Sequence, residues 1–286
     1  MTEESGHWYT RDGAPMHTIG GRTTTLRDAR KLKLVKSVTS HLQVIAKPAL
    51  TNWLIEQAVF AALTLPRIDG EPEKDFLRRV KDDGRAQGKA AAEEGSRIHH
   101  ACEWHWLGSG VPDKYILHVA GVVKEIHRIF PHVDDWEAER TFAHPLGFGG
   151  SCDLSSRSTG CIVDYKGKDG ELWCDDEHAY ARIVVDGQQI DKRCDYDQVW
   201  QLAAYQVGLN LAHPEYVDGH DVNGDPIIRE SPPLAFRPAA AVFFSRTHPG
   251  STASKVWTAE EVAQGWKVFE TAVRLSALTS NYDGSF

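Results

Sequence analysis

The stretch that most constrains how this chain can fold is residues 147–168, GFGGSCDLSSRSTGCIVDYKGK. Two short β-prone runs, 151–155 and 161–165, flank a turn-forming Arg157-Ser158-Thr159-Gly160 and predict a β-hairpin. Asp153 lies in the first run, and Asp164 and Lys166 lie at the end of the second. Side chains two apart in an extended strand point the same way, so Asp164 and Lys166 share a face. Asp153 can join them across the hairpin. Two carboxylates and an ammonium on one sheet face are a poor structural device, but they suit a divalent cation beside a phosphate.

The rest of the sequence sets the frame. A chain of 286 residues is long enough for one large domain or two small ones. At 41% hydrophobic and 25% charged it has ordinary globular composition. No apolar run approaches the roughly 20 residues that span a bilayer, so no membrane partner is expected. The N-terminal MTEESGHWYT lacks the basic-then-apolar pattern of a secretory signal, which predicts a cytoplasmic protein. The cysteines Cys102, Cys152, Cys161, Cys174 and Cys194 are odd in number and contain no Cys-x-x-Cys pair, so reduced thiols are expected rather than disulfides or a zinc site. A net charge of −8 excludes a surface coated with positive charge, though not a local basic track, and carboxylates gathered at a metal site would lower the total.

Residues 1–36 read as an N-terminal arm. Arg22, Arg27, Arg30, Lys31, Lys33 and Lys36 face a single acid there, Asp28. They form either a solvated face or a patch that contacts a nucleic-acid backbone. A helical part covers 37–130. Its helices are predicted after Ser37-Val38-Thr39-Ser40, over 49–63 with Leu50, Trp53, Leu54 and Val59 in the core, over 74–107 as one or two helices, and over 114–130. Phe76, Leu77, Val80, Ala91, Ile98, Ala101 and Cys102 are the apolar positions of 74–107, and Gly84, Gly88 and Gly95 weaken it. A strand over 136–143 feeds the hairpin, and 174–178 is an acidic loop. A clear helix runs over 196–211, a surface loop over 213–233 and a buried strand over 240–245. Thr258-Ala259-Glu260-Glu261 is a capping box that opens a last helix over about 259–278. This order predicts a mixed α/β fold with a helical N-terminal part.

Phosphodiester hydrolysis needs activated water and neutralised phosphorane charge, which one or two Mg²⁺ ions supply. Mg²⁺ prefers carboxylate, carbonyl and water oxygens. Asp153, Asp164 and the backbone carbonyl of Tyr165 can provide them, while Lys166 orients water or stabilises charge. Upstream, Gly95-Ser96-Arg97-Ile98-His99 places His99 on a helix near His100, Glu103 and His105, either as a solvent-facing residue or as a metal ligand. Downstream, Gln201 and Tyr205 share a helix face. Glu139, on the strand before the hairpin, is a further candidate acid.

The order Gly95…His99, Gly150…Asp153, Asp164-Tyr165-Lys166 and Gln201…Tyr205 resembles the RecB-type branch of the PD-(D/E)XK nucleases, over about residues 88–210. Ser37-Val38-Thr39 with Lys47-Pro48 and Trp53 looks like the entry segment of phage exonucleases and of mitochondrial genome maintenance exonucleases. The resemblance implies a mixed central sheet flanked by helices in a single nuclease domain over 37–286, with the helical part as a wall or arch. It implies that Asp153, Asp164 and His99 bind Mg²⁺ or Mn²⁺, that Lys166 is catalytic, and that Gln201 and Tyr205 contact the DNA backbone or brace the lysine. Cys152 stands where the motif has proline, and Asp164 where glutamate is commoner. No cysteine follows Cys194, so the iron–sulfur cluster of some relatives is not expected. The implied activity is a metal-dependent DNA exonuclease acting from free single- or double-stranded ends in phage-type recombination or repair. An endonuclease or nickase, or a DNA-end-binding module without catalysis, are the alternatives. Trp104, Trp106, Tyr115 and Tyr205 are candidates for base stacking as well as for the core.

Overall fold

The computed structural model describes residues 7–46, 48–185, 187–212 and 234–286, and the loop expected over 213–233 lies outside them. The chain begins with strand β1 (Trp8–Tyr9) and the small hairpin β2 (Thr18–Ile19) and β3 (Arg22–Thr23). Helix α1 (Leu26–Leu32) follows, closed by a Thr25/Asp28 capping box at its start and by Lys33 at φ 56° at its end. Next come β4 (Val35–Ser37), the short α2 (Val38–His41), α3 (Pro48–Thr64), α4 (Glu73–Trp106) and α5 (Ile116–Ile129). The strands β5 (Trp136–His144), β6 (Phe148–Ser156) and β7 (Ile162–Lys168) lead into a meander of β8 (Glu171–Cys174), β9 (Ala179–Val185) and β10 (Gln188–Arg193). The chain closes with α6 (Gln198–Gly208), β11 (Ala239–Ser245), β12 (Thr252–Trp257) and α7 (Ala259–Ser280).

The central mixed sheet has the order β1-β4-β6-β7-β11-β12, with β5 on the other edge of β6. Helices cover both faces. Ile98, Ala101 and Cys102 of α4 and Val119, Val122 and Ile126 of α5 pack on Leu154, Val163, Tyr165, Val242 and Phe244. On the opposite face Leu202, Ala203 and Val207 of α6 and Val262, Phe269 and Ala272 of α7 pack on Phe148, Ile162, Ala241 and Phe243. The buried strand β11 lies centrally, parallel to β7, and is apolar on both sides as such a strand must be.

The expected mixed α/β class, the strand before the hairpin and the capped last helix are all present. The Thr258 hydroxyl accepts from Glu261 N and the Glu261 carboxylate from Thr258 N, so the capping box is closed. Residues 74–107 form one helix, not two. Gly84 does not break α4: it lets α3 cross closely, since a Cβ there would sit 3.3 Å from the Gln57 backbone. The meander β8–β10 and strand β12 were not foreseen. β10, QQIDKR, is exposed along its length, so no apolar alternation marks it.

Residues 7–36 are not a free arm. β1 pairs with β4, β4 runs parallel to β6, and Trp8 and Leu34 are buried. Lys36, expected in a nucleic-acid patch, is buried, and its ammonium donates to Ser276 Oγ at 3.2 Å. Arg22 is paired with Asp28 at 2.7 Å, and Arg30 donates to the carbonyls of Ser280 and Asn281 at the C-terminal end of α7. Arg27, Lys31 and Lys33 are exposed. Leu54, Val59 and Leu77 were expected in the core and are exposed; on α3, Leu54 and Val59 are exposed because this helix packs chiefly on α4. Among the described residues, no helix is long and apolar enough to cross a membrane.

His41 sits at the seam between β6 and α7. It is 1% exposed, its Nε2 lies 3.2 Å from the Gly147 carbonyl, and its ring meets Phe269 edge-on. Burial pulls its pKa down to about 4, only partly opposed by the Gly147 carbonyl. The unfolded chain therefore binds a proton at His41 that the folded chain refuses between about pH 6.5 and pH 4. This contribution is complete above the unfolded value and is lost as pH falls, by roughly 3 kcal/mol across the window. Urea midpoints measured from pH 7 to pH 5 should fall in the wild type and fall less steeply in His41→Leu. Equal slopes would show that His41 is not the group responsible.

Candidate metal centre

The site grows from a break in the sheet. β6 carries β5 along one edge. On its other edge β4 pairs only at Phe148–Gly149 and β7 only at Leu154–Ser155. Between these, residues 150–153 have no ladder partner on that edge among the described residues. At the mouth of the gap the Asp153 carboxylate takes the place of a ladder carbonyl: its Oδ2 accepts the Tyr165 N–H at 2.7 Å. Gly150 fits only because it lacks a Cβ, which would lie 3.0 Å from both the Phe142 and Tyr205 rings.

Directly across from Asp153, Glu139 has φ 50°. The register is unbroken on either side, Ala138 opposite Leu154 and Arg140 opposite Cys152, yet the 139–153 pair itself is missing. The faces change there. Trp136, Ala138 and Leu154 pack under α4 and α5, whereas Cys152, Phe142 and Phe148 pack under α6 and α7. The strands thus switch phase at a crease, and both carboxylates lie on it. A left-handed non-glycine residue within a strand is costly and marks functional positions. Ser151 Oγ donates to the Glu139 carboxylate at 2.5 Å and holds it inward.

Helix α4 brings His99 to the crease, with Nε2 at 2.9 Å from Asp153 and Nδ1 at 3.7 Å from Glu139. Potential ligand atoms of His99, Glu139 and Asp153 all lie within 4.8 Å of one another. Asp164 stands outside that group, on the α6 side. It is 1% exposed and lies 2.6 Å from Lys166 Nζ through Oδ2. The Gln201 amide donates to Asp164 Oδ1 at 3.0 Å and to the Tyr205 hydroxyl at 2.6 Å.

The expected single convergence of His99, Asp153, Asp164 and Lys166 is therefore two linked groups, one of His99, Glu139 and Asp153, the other of Asp164, Lys166, Gln201 and Tyr205. Tyr165 links them: its amide binds Asp153, and its ring packs against His99 at 5.4 Å under α4. Gln201 braces the aspartate rather than the lysine. Tyr205 and Tyr115 are buried and offer no stacking surface, while Trp104 is exposed. Glu139, a secondary candidate from sequence, joins the ligand group where Asp164 was expected. Its position opposite Asp153 in an antiparallel pair was the available signal.

The electrostatics suit a cation. Burial opposes charge on His99, but Asp153, then Glu139 and Asp164, outweigh it and push its pKa up to about 9. Burial likewise opposes charge on Asp153, and His99 with Lys166 holds it below the usual carboxylate range. Burial pushes Asp164 up to about 6, offset in part by Lys166, and also raises Glu139. Burial works against the Lys166 ammonium, but Asp164 and Asp153 keep it above its ordinary value. Three carboxylates thus face two cationic side chains, and the imidazolium stands where added positive charge is most favoured. No hydrogen bond of good geometry reaches Asp164 Oδ2 despite the nearby ammonium. One imidazole nitrogen with carboxylate oxygens is a donor set for Mn²⁺ or Mg²⁺.

The five cysteines are free thiols. Comparison with protein-family models and with curated proteins found no match to the chain.

Mn²⁺ should stabilise the fold by binding this group, by about 2.7 kcal/mol at a hundred times its dissociation constant, which is several degrees in Tm. Glu139→Gly should unfold at or above the wild-type temperature without metal, because glycine takes a positive φ without steric cost. It should lose most of the Mn²⁺-induced rise. An undiminished rise would remove Glu139 from the ligand group.

Proposed function

We propose that the protein is a divalent-metal-dependent DNA nuclease of the PD-(D/E)XK, RecB-type class, acting as an exonuclease on free DNA ends. The observation that carries this reading is the pairing of a His99–Glu139–Asp153 ligand group with a buried Asp164–Lys166 ion pair across one break in the sheet. A structural ion pair would not require a strained glutamate and a histidine gathered beside it. The ordered motifs from Gly95 to Tyr205 support the class assignment, and the exonuclease reading rests on the resemblance to phage exonucleases.

Glu139, Asp153 and His99 would hold the cation, with Asp164 and the Tyr165 carbonyl as further oxygens. A bound Mg²⁺ or Mn²⁺ supplies Lewis-acid charge at the scissile phosphate. Lys166 keeps its proton at Nζ and donates a hydrogen bond that orients the attacking water or stabilises a phosphorane oxygen. Asp164 anchors that ammonium. Gln201 fixes Asp164 through Oδ1, and Tyr205 receives the other Gln201 hydrogen bond, so the chain α6–Asp164–Lys166 sets where the ammonium points. Arg22 and Arg30 are also exposed but paired with Asp28 and with α7 carbonyls, so Arg27, Lys31 and Lys33 are the members of the basic segment that would meet a phosphate backbone.

End-labelled linear DNA and a covalently closed circle, each with Mg²⁺ or Mn²⁺, test the reading. The linear substrate should be shortened and the circle left intact. Lys166→Gln and Asp164→Asn should each lower kcat by about 10²–10³-fold or more while the fold survives. Cleavage in EDTA, or full activity in either variant, would sink the proposal. Cutting of the circle would replace exonuclease by endonuclease, and end binding without cleavage would leave a DNA-binding module.

A further inference from the structure

A cavity of about 380 Å³ opens beside the ligand group, between α4 and the ends of β7 and β11. His99, His100, Lys166 and Arg246 line it, and there is no carboxylate among the described lining residues. Ala91, Ala92, Gly95 and Gly167 also line it, and at these small residues a ligand can come close to the backbone. The volume falls within the roughly 300–1,000 Å³ of small-molecule pockets.

Arg246 is fixed in this wall. Its Nε and Nη2 hold the two oxygens of Asp169 at 2.9 and 2.8 Å, and its Nη1 donates to the Ala91 carbonyl at 3.3 Å. A guanidinium has five N–H groups. Nε and Nη1 each make one hydrogen bond and Nη2 an ion-pair contact, so both Nη groups keep an N–H for a ligand. The side chain is only 17% exposed, so its orientation is set before anything binds and little further ordering is needed. A fixed fork of this kind matches two oxygens of a phosphate.

Gly95 adds an independent observation. A glycine inside a helix costs about 1 kcal/mol relative to alanine. At Gly84 the close crossing of α3 explains it. At Gly95 nothing crosses among the described residues: the nearest atom to a Cβ would be Arg246 Cδ, 3.9 Å away. The missing side chain leaves open the space beneath Arg246, and a larger residue would fill it.

We infer that this cavity holds a phosphate carried on a single nucleotide, with Arg246 as the residue that positions it beside the metal centre. The nucleotide part of this assignment rests on the proposed nuclease reading; the anion chemistry does not.

Calorimetric titration in EDTA with thymidine 5′-monophosphate, inorganic phosphate and thymidine tests it. The monophosphate should bind, inorganic phosphate should bind more weakly, and thymidine should not bind. Arg246→Gln should weaken monophosphate binding by about tenfold or more, the loss of a charge-assisted hydrogen bond. Gly95→Leu should abolish it with a Tm at or above that of the wild type, and this variant decides the matter if Arg246→Gln folds poorly. Thymidine binding as tightly as its monophosphate, no binding of the monophosphate, or unchanged binding in Gly95→Leu would overturn the inference. Inorganic phosphate binding as tightly as the monophosphate would overturn the nucleotide assignment. The nuclease reading fails separately. DNA cleavage with an unchanged KM in Arg246→Gln would overturn the role of Arg246 and leave the nuclease. Monophosphate binding lost in both variants of a protein that cleaves no DNA would do the reverse.

Discussion

The hydrogen bond from the Tyr165 amide to the Asp153 carboxylate holds the site together. A strand edge cannot leave its N–H buried and unpaired. Where β6 and β7 part company, a side chain must supply the acceptor that the missing ladder carbonyl would have been. Using a carboxylate for this fixes a negative charge inside the fold, and burial of that charge then demands cations. His99 from α4 and Lys166 from β7 answer it.

The strain at Glu139 belongs to the same logic. Both strands keep register through the crease but exchange faces at it, and one residue must absorb the change. That the residue is a glutamate, where glycine would be easier, transfers the cost of the left-handed backbone to a site that gains a third carboxylate. On the other side, Gln201 and Tyr205 form a dry polar brace behind Asp164. These arrangements would be wasteful in a purely structural sheet. They are coherent for a group of side chains that could hold a cation.

Much of this was legible in the chain. The turn at 157–160, the strand runs, the capping box at Thr258 and the apolar period of 196–211 predicted their elements, because local propensity and periodicity agreed with the final packing there. Asp153, Asp164 and Lys166 could be grouped because strand period and hairpin pairing set them on one face, whereas His99, Gln201 and Tyr205 were named through the resemblance of the ordered motifs to the RecB-type nucleases. β10 and β12 were not legible. Their mixed polar composition carries no alternation, and they are strands because neighbours offer them ladder partners. Lys36 was read as surface charge because sequence gives no sign that α7 folds over it. The apolar content of α3 predicts a core helix, whereas its outer side is exposed among the described residues.

Sequence alone determined which chemical groups are present and in what order, together with the hairpin that pairs two acids with a lysine. It did so because covalent spacing and backbone period fix which side chains of one element share a face. Tertiary structure decided which of those groups meet. Trp136, Ala138 and Phe142 keep one parity throughout, so nothing in the pattern reports that β5 changes face at Glu139. That change depends on two cores competing for the same strands. It moved Glu139 into the ligand group, set Asp164 beside Lys166, and turned a flat hairpin face into a centre with two linked halves.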